Sequence, residues 1–205
     1  MKQKIGWLLL MVLVMGISTG VRVSSQTMPA GAPIYKPAPL PATASKTNLK
    51  VGDQAPDFTL PAISGSRVSL SSYRGKNHVV LSFVPAAWTP VCSQQWPGYH
   101  IAKEFFDELN TVVLGISVDN VPTLYAWVST MGGLWFPVLS DFWPHGEVAK
   151  RYGVLRDDGT TERALFVIDK EGIVRYVDVH DINDMPRLED LIKELRKLEQ
   201  PPERP

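Results

Sequence analysis

Apolar and polar positions change period several times along the chain, and their order predicts an α/β fold. Short, β-branched apolar runs at 78–84 and 111–118 are typical of strands that are covered on both faces. Further strand patterns follow at 136–140, 164–169 and 173–179. The last two runs are separated by a short polar turn that ends in glycine, which predicts a β-hairpin.

Helical periodicity fills the intervals between the predicted strands. After the first strand, Ile101, Ala102, Phe105 and Leu109 fall on one apolar face, which predicts a crossover helix. Further helices are predicted at 122–131, 146–152 and 188–198. A β-α-β unit followed by a hairpin and a closing helix resembles a thioredoxin-like core. We therefore expect an α/β domain with a central mixed β-sheet flanked by helices.

The N-terminal segment has the pattern of an export signal. Lys2 and Lys4 precede an apolar run at 5–17, about the length of a signal-peptide core. We interpret residues 1–26 as a cleaved signal peptide or as an uncleaved signal anchor. Both interpretations predict an exported protein in the periplasm or another extracytoplasmic compartment, and the second adds a membrane tether.

The remaining chain divides into three parts by composition. Residues 27–50 are rich in proline and alanine, which favours an extended, semi-rigid linker. Residues 51–199 have the size and patterning of one domain. Residues 200–205 are predicted to be a disordered tail.

Charge and cysteine content narrow the chemistry. The 21 basic residues balance the 21 acidic ones, so no net field favours a nucleic-acid partner. A single cysteine, Cys92, excludes an intrachain disulfide, a CxxC redox pair and a cysteine-rich zinc site. The four histidines show no metal-ligand spacing, so neither a metal nor a cofactor is expected.

Cys92 ends the segment PAAWTPVC, which begins at Pro85 and contains Thr89. This segment fits the PxxxTxxC pattern of the peroxiredoxins, and it lies between a predicted strand and a predicted helix. The opening VGDQAPDF at 51–58 and the stretch ERALFVIDKEG, which contains Arg163, are similar to the same family. The chain thus resembles peroxiredoxins of the alkyl hydroperoxide reductase/thiol-specific antioxidant type, and among them the one-cysteine members similar to bacterioferritin comigratory protein.

The resemblance implies a thiol peroxidase with Cys92 as its nucleophile. A helix N-terminus and an arginine both favour a thiolate, and we assign the arginine role to Arg163, with Arg151 and Arg156 as alternatives. Thr89 is expected to turn its hydroxyl toward the sulfur and the peroxide. Pro85, which has no N–H group, is expected to shield the pocket.

The neighbours of Cys92 are candidates for substrate binding. Trp88 and Gln95 are the two that we select, although an aromatic residue such as Trp88 can equally belong to the core or to a dimer contact. Gln95 stands where related proteins often carry glutamate, and Pro97 with Gly98 is expected to interrupt the helix that presents Cys92.

Recycling of the oxidised cysteine is expected to need an external thiol. Pro97 stands where some relatives hold a resolving cysteine, so the chain itself offers no partner sulfur. The expected reductant is a low-molecular-weight thiol or a thioredoxin- or glutaredoxin-like protein, and the expected substrates are hydrogen peroxide and alkyl hydroperoxides. The resemblance also leaves a homodimer open.

Two other function classes fit the same residues. One is an exported thioredoxin-like module that binds a partner or senses oxidants without efficient turnover. The other is a relative of thiol-disulfide oxidoreductases in which Thr89 occupies the place of the first cysteine of a CxxC pair. Catalytic consumption of peroxide separates the peroxidase from both.

Overall fold

The fold is an α/β domain built on a five-stranded mixed sheet, as predicted. A computed structural model describes residues 34–199. The strands are β1 (Thr59–Pro61), β2 (Arg67–Ser69), β3 (His78–Phe83), β4 (Thr111–Ser117), β5 (Val138–Ser140), β6 (Arg163–Ile168) and β7 (Val174–His180). The helices are α1 (Cys92–Ile101), α2 (Lys103–Glu108), α3 (Val121–Thr130), α4 (Glu147–Arg151) and α5 (Leu188–Glu199), with a short 3-10 helix at Leu70–Tyr73.

The order of strands in the sheet is β5-β4-β3-β6-β7. Strands β3, β4 and β5 run parallel, whereas β6 pairs antiparallel with both β3 and β7. The predicted hairpin is therefore the β6-β7 unit, and β3 occupies the centre. A separate antiparallel hairpin, β1-β2, precedes this sheet and was not predicted, because strands of three residues are too short for a clear period.

Alternation along the central strands divides the core into two layers. Val80 in β3 and Val113 in β4 face the layer that contains α1, α3 and α5. Leu81 and Leu114, one residue further along, face the layer that contains α4 and the N-terminal hairpin. Because the sheet is covered on both faces, its strands appear in the sequence as continuous apolar runs.

The predicted crossover helix is two helices, and its predicted apolar face was wrong. Helix α1 continues through Pro97 to Ile101, and the backbone leaves helical geometry at Ala102 (φ −85°, ψ 15°) before α2 begins. This break rotates the buried face, so that Ile101 is 85% exposed while Phe106 is fully buried. A helical period of 3.6 residues predicts the buried face only within one continuous helix, so it fails beyond such a break.

Helix α1 lies close to the sheet because Gly115 in β4 has no side chain. A Cβ atom at Gly115 would lie 2.8 Å from the ring of Trp96. The Trp96 indole donates a hydrogen bond to Ser82 Oγ at 3.1 Å, and its ring centroid is 5.0 Å from that of Trp127. These contacts fix the position of α1, and therefore of its first residue, Cys92.

Residues 35–47, which we call the N-terminal strap, lie along the domain surface. This part of the predicted linker has no helix or strand, as expected for a proline-rich segment. It is nevertheless bonded to the domain: the N–H groups of Ala44 and Ser45 donate to Glu162 Oε1 at 2.7 and 2.6 Å. The strap is therefore packed on the domain, a contact that composition alone does not predict.

A buried ion pair holds the anchor of the strap in place. Arg156 Nη1 donates to Glu162 Oε2 at 2.7 Å, and both side chains are almost fully buried. Arg156 Nη2 also donates to the carbonyl of Pro41 at 3.2 Å. Glu162 therefore binds the strap through Oε1 and binds Arg156 of the domain through Oε2.

The predicted export segment (1–26) and tail (200–205) lie outside the described residues. Within 34–199, every helix is too short or too polar to span a bilayer.

The buried ion pair gives a stability prediction. We expect Glu162→Gln to lower the free energy of unfolding by about 3 kcal/mol, because it removes the close, buried counter-charge of Arg156 and leaves only the more exposed Asp158, whose Oδ2 lies 4.0 Å from Arg156 Nε. The matched control is Glu189→Gln, which removes a carboxylate from an exposed pair with Arg187 and should leave stability unchanged. Urea unfolding curves of the two variants test this, and equal midpoints would contradict it.

Candidate active site

The candidate nucleophile, Cys92, is the first residue of α1 and follows the loop that leaves β3. Its side chain is 0% exposed. The loop is held at two points: Thr161 Oγ1 donates to the carbonyl of Val84 at 2.8 Å, and the N–H of Ala87 donates to Asp119 Oδ2 at 2.8 Å. The thiol is therefore fixed at the N-terminal end of a helix that has no side-chain cap, where the helix dipole favours negative charge.

Arg163 reaches Cys92 from the start of β6. Because β6 pairs antiparallel with β3, the first residue of β6 lies beside the carboxyl end of β3, where the Cys92 loop begins. Arg163 Nη2 lies 3.5 Å from Cys92 Sγ and also donates to the carbonyl of Ile182 at 3.0 Å. The Arg163 side chain is buried, so this contact takes place away from bulk water.

Gln95 holds the other arm of the guanidinium. Arg163 Nη1 donates to Gln95 Oε1 at 2.6 Å, while Gln95 Nε2 donates to Tyr99 Oη at 3.0 Å and lies 3.3 Å from Ser82 Oγ. Burial raises the pKa of Tyr99 to about 12. Tyr99 is therefore a neutral phenol at physiological pH, and the network around Arg163 contains no phenolate.

No carboxylate forms an ion pair with Arg163 among residues 34–199. Its acceptors are an amide oxygen, a backbone carbonyl and the cysteine sulfur. The alternative arginines are committed elsewhere: Arg156 pairs with Glu162, and Arg151 donates to the carbonyl of Asp57. The positive charge of Arg163 is thus left to act on the sulfur and on whatever anion forms beside it.

A cleft of about 490 Å³ lies beside this cluster; Arg163 lines it, whereas the fully buried Cys92 does not. Pro85, Thr89 and Arg163 line one side of the cleft, so the structure brings these three predicted site residues together. The Thr89 hydroxyl donates to the carbonyl of Ala86 at 2.9 Å. A hydroxyl has one proton, so in this rotamer Thr89 offers an approaching peroxide only the lone pairs of its oxygen.

The two predicted substrate-binding residues lie elsewhere. Gln95 is buried behind Arg163, and the half-buried Trp88 packs against the core, so neither lines the cleft. Trp88 has a left-handed backbone (φ 64°), an uncommon conformation for a bulky residue. Its carbonyl accepts a hydrogen bond from the N–H of Tyr35 at 2.8 Å. A direct substrate contact by either residue stays a prediction.

Four supporting residues of the site were not singled out from the sequence. Asp119 fixes the loop, Ser82 and Tyr99 complete the Gln95 network, and the Ile182 carbonyl holds Arg163. Asp119 carried a usable signal, since it follows the carboxyl end of β4 and a polar residue at that edge of a parallel pair points to a site. Ser82, Tyr99 and Ile182 carry no such signal in the sequence, because their roles follow only from their positions in the fold.

The role of Gln95 is testable. We expect Gln95→Leu to slow oxidation of Cys92 by hydrogen peroxide about tenfold, because the Arg163 guanidinium is no longer held in place. The same variant should lose about 1–3 kcal/mol of stability through unsatisfied buried donors. Gln95→Glu keeps an acceptor for Arg163 and should retain more of the rate.

The matched control for this prediction is Gln94→Leu, at the exposed neighbouring position in α1. Stopped-flow tryptophan fluorescence measures the oxidation rate, and urea unfolding measures stability. Equal rates for the Leu variants at positions 94 and 95 would contradict the positioning role.

Comparison with known proteins gives a consistent set of relatives. Residues 51–177 match the AhpC/TSA family. The chain is 34% identical over 165 residues to a chloroplastic 2-cysteine peroxiredoxin of Chattonella marina var. antiqua, covering 77% of this chain and 85% of that protein. It is 40% identical over 132 residues to alkyl hydroperoxide reductase E of Mycobacterium tuberculosis, covering 64% of this chain and 86% of the relative.

Solved structures agree with the sequence relatives. The reduced 2-Cys peroxiredoxin of Plasmodium vivax superposes with a TM-score of 0.68 at 31% identity, over 73% of this chain and 81% of that one. Peroxidoxin BcpB of Mycobacterium tuberculosis gives a TM-score of 0.66 at 30% identity, over 74% and 99%. The thioredoxin-like fold agrees with these relatives, and the chain belongs to the AhpC/TSA family of peroxiredoxins and is a thiol peroxidase.

Proposed function

We propose that this thiol peroxidase works with Cys92 as its single redox-active sulfur and is recycled by a thiol from outside the chain. The observation that carries the proposal is the contact of Arg163 Nη2 with Cys92 Sγ at 3.5 Å, in a sequence that holds one cysteine. The substrates are hydrogen peroxide and alkyl hydroperoxides, the second by analogy with the alkyl hydroperoxide reductase relative.

The proposed first step oxidises the sulfur. The Cys92 thiolate attacks one oxygen of the O–O bond, that bond breaks, and the leaving oxygen takes a proton to give water or an alcohol. Sulfur keeps the attacked oxygen as a sulfenic acid. Arg163 lies where it can stabilise both the thiolate and the negative charge that develops on the leaving oxygen.

The proposed second step restores the thiol. An external thiolate attacks the sulfenic sulfur, water leaves, and a mixed disulfide forms on Cys92. A second external thiol then attacks this disulfide, which releases Cys92 and the oxidised reductant. The reductant is a low-molecular-weight thiol or a thioredoxin- or glutaredoxin-like protein. A homodimer stays a prediction, to be decided by the native mass in solution.

Turnover and single oxidation together test this function. We expect the wild type to consume hydrogen peroxide repeatedly with dithiothreitol, and Cys92→Ser to consume none. Arg163→Lys should slow Cys92 oxidation about 10- to 100-fold, because lysine loses the planar fork that contacts sulfur, Gln95 and Ile182 together. Arg67→Lys, the same change at an exposed position, is the control.

The readouts are peroxide consumption and intact mass. A gain of one oxygen on Cys92 that thiols reverse, with further peroxide consumed, supports the proposal. One oxidation that stops in excess thiol would instead favour an oxidant sensor. Reduction of protein disulfides without peroxide turnover would favour the oxidoreductase alternative.

We also propose that the protein acts outside the cytoplasm. The support is the pair Lys2 and Lys4 followed by the apolar run at 5–17. In cell fractionation, the full chain should appear in an extracytoplasmic or membrane fraction, and removal of residues 1–26 should retain it in the cytoplasm. Recovery of both forms in the cytoplasm would exclude export by this segment.

A further inference from the structure

The N-terminal strap crosses the domain along a defined path. At one end, the Tyr35 N–H is bonded to the Trp88 carbonyl. In the middle, the carbonyls of Leu40 and Ala42 accept hydrogen bonds from Asn183 Nδ2 at 3.0 Å and the Ile182 N–H at 2.9 Å. These contacts place the strap directly above the segment whose carbonyl holds Arg163.

The far end of the strap is equally fixed. Thr47 Oγ1 donates to the carbonyl of Tyr152 at 2.6 Å. The next residue, Gly153, has φ 68°, and a Cβ atom there would lie 2.7 Å from Thr47 Cα. Together with the hydrogen bonds to Glu162, this close approach shows a surface shaped to receive the strap.

The strap completes the cleft that Arg163 lines beside the buried Cys92. Tyr35, Lys36, Pro37 and Leu40 form one side, opposite Pro85, Thr89 and Arg163. Without the strap, the motif residues would face open solvent on that side. The four strap residues are therefore placed to contact whatever occupies the cleft.

The size and chemistry of the cleft indicate what it selects. Its volume of about 490 Å³ is much larger than a hydrogen peroxide molecule would fill, since a water molecule occupies only about 30 Å³ in the liquid. The strap contributes a ring and a branched aliphatic chain, from Tyr35 and Leu40. Lys36 and Asp158, which also line the cleft, carry opposite charges.

We propose that the N-terminal strap is one wall of the substrate site, and that Tyr35 and Leu40 determine a preference for hydroperoxides with a bulky apolar substituent over hydrogen peroxide. This inference rests on the proposed oxidation of Cys92 and deepens it. The O–O group is held near Arg163, while the substituent lies against the strap. Burial of that substituent lowers the barrier for the organic substrate only.

The test compares two peroxides on full-length variants. Tyr35→Ala, Leu40→Ala and the double variant are mixed with cumene hydroperoxide or hydrogen peroxide in the absence of any reductant. The second-order rate of Cys92 oxidation is followed by tryptophan fluorescence and intact mass. The control is Tyr125→Ala, because Tyr125 is 60% exposed, comparable with 68% for Tyr35, and lies away from the cleft.

We expect the double variant to react about fivefold to tenfold more slowly with cumene hydroperoxide, with its rate for hydrogen peroxide unchanged. Equal losses for both peroxides would mean that the strap only supports the fold, and no loss for either would mean that it does not contact substrate. Both results overturn the proposal.

Failure of this inference is separable from failure of the proposed function. Oxidation is measured without reductant, so a protein that is not recycled by thiols still reports its peroxide preference. If Cys92 reacts with neither peroxide faster than a free thiol, the proposed function fails and the inference fails with it.

Discussion

The placement of one buried positive charge organises this domain. A guanidinium keeps its charge under all ordinary conditions, so a buried arginine must be surrounded by acceptors. In this protein the acceptors of Arg163 are an amide oxygen, a backbone carbonyl and the sulfur of Cys92. The amide oxygen and the backbone carbonyl are neutral acceptors, so they do not neutralise the guanidinium, and its positive charge acts on the sulfur. The packing of α1 on the sheet, the Gln95 network and the position of Ile182 all maintain this arrangement.

Local pattern was sufficient to predict the central sheet and the motif. The runs at 78–84 and 111–118 are buried on both faces, so their apolar character does not depend on distant parts of the chain. Pro85, Thr89 and Cys92 are close in sequence and occupy one loop and helix start. Arg163 is distant in sequence, but its strand pattern and its resemblance to the family placed it correctly beside Cys92.

The missed features depend on contacts between distant segments. The helix break at Ala102 separates two buried faces, and no glycine or proline stands at that residue to mark it in the sequence. Gln95 was selected from the sequence as a substrate-binding residue, but its bond to Arg163, which spans 68 residues, was not predicted. Composition predicts an extended linker at 27–50, and residues 35–47 contain neither helix nor strand, but composition carries no information about a carboxylate that binds them.

The strap also sets an order of events during folding. Ala44 and its acceptor Glu162 are 118 residues apart, so the strap is synthesised early and its binding surface is synthesised late. Closing so long a loop is entropically unfavourable until the strands that present Glu162 and Arg156 are formed. The sheet and the Cys92 loop can therefore assemble before the cleft has its outer wall. Residues 35–47 therefore precede their acceptor by more than a hundred residues in synthesis, and they can dock only after Glu162 is in place.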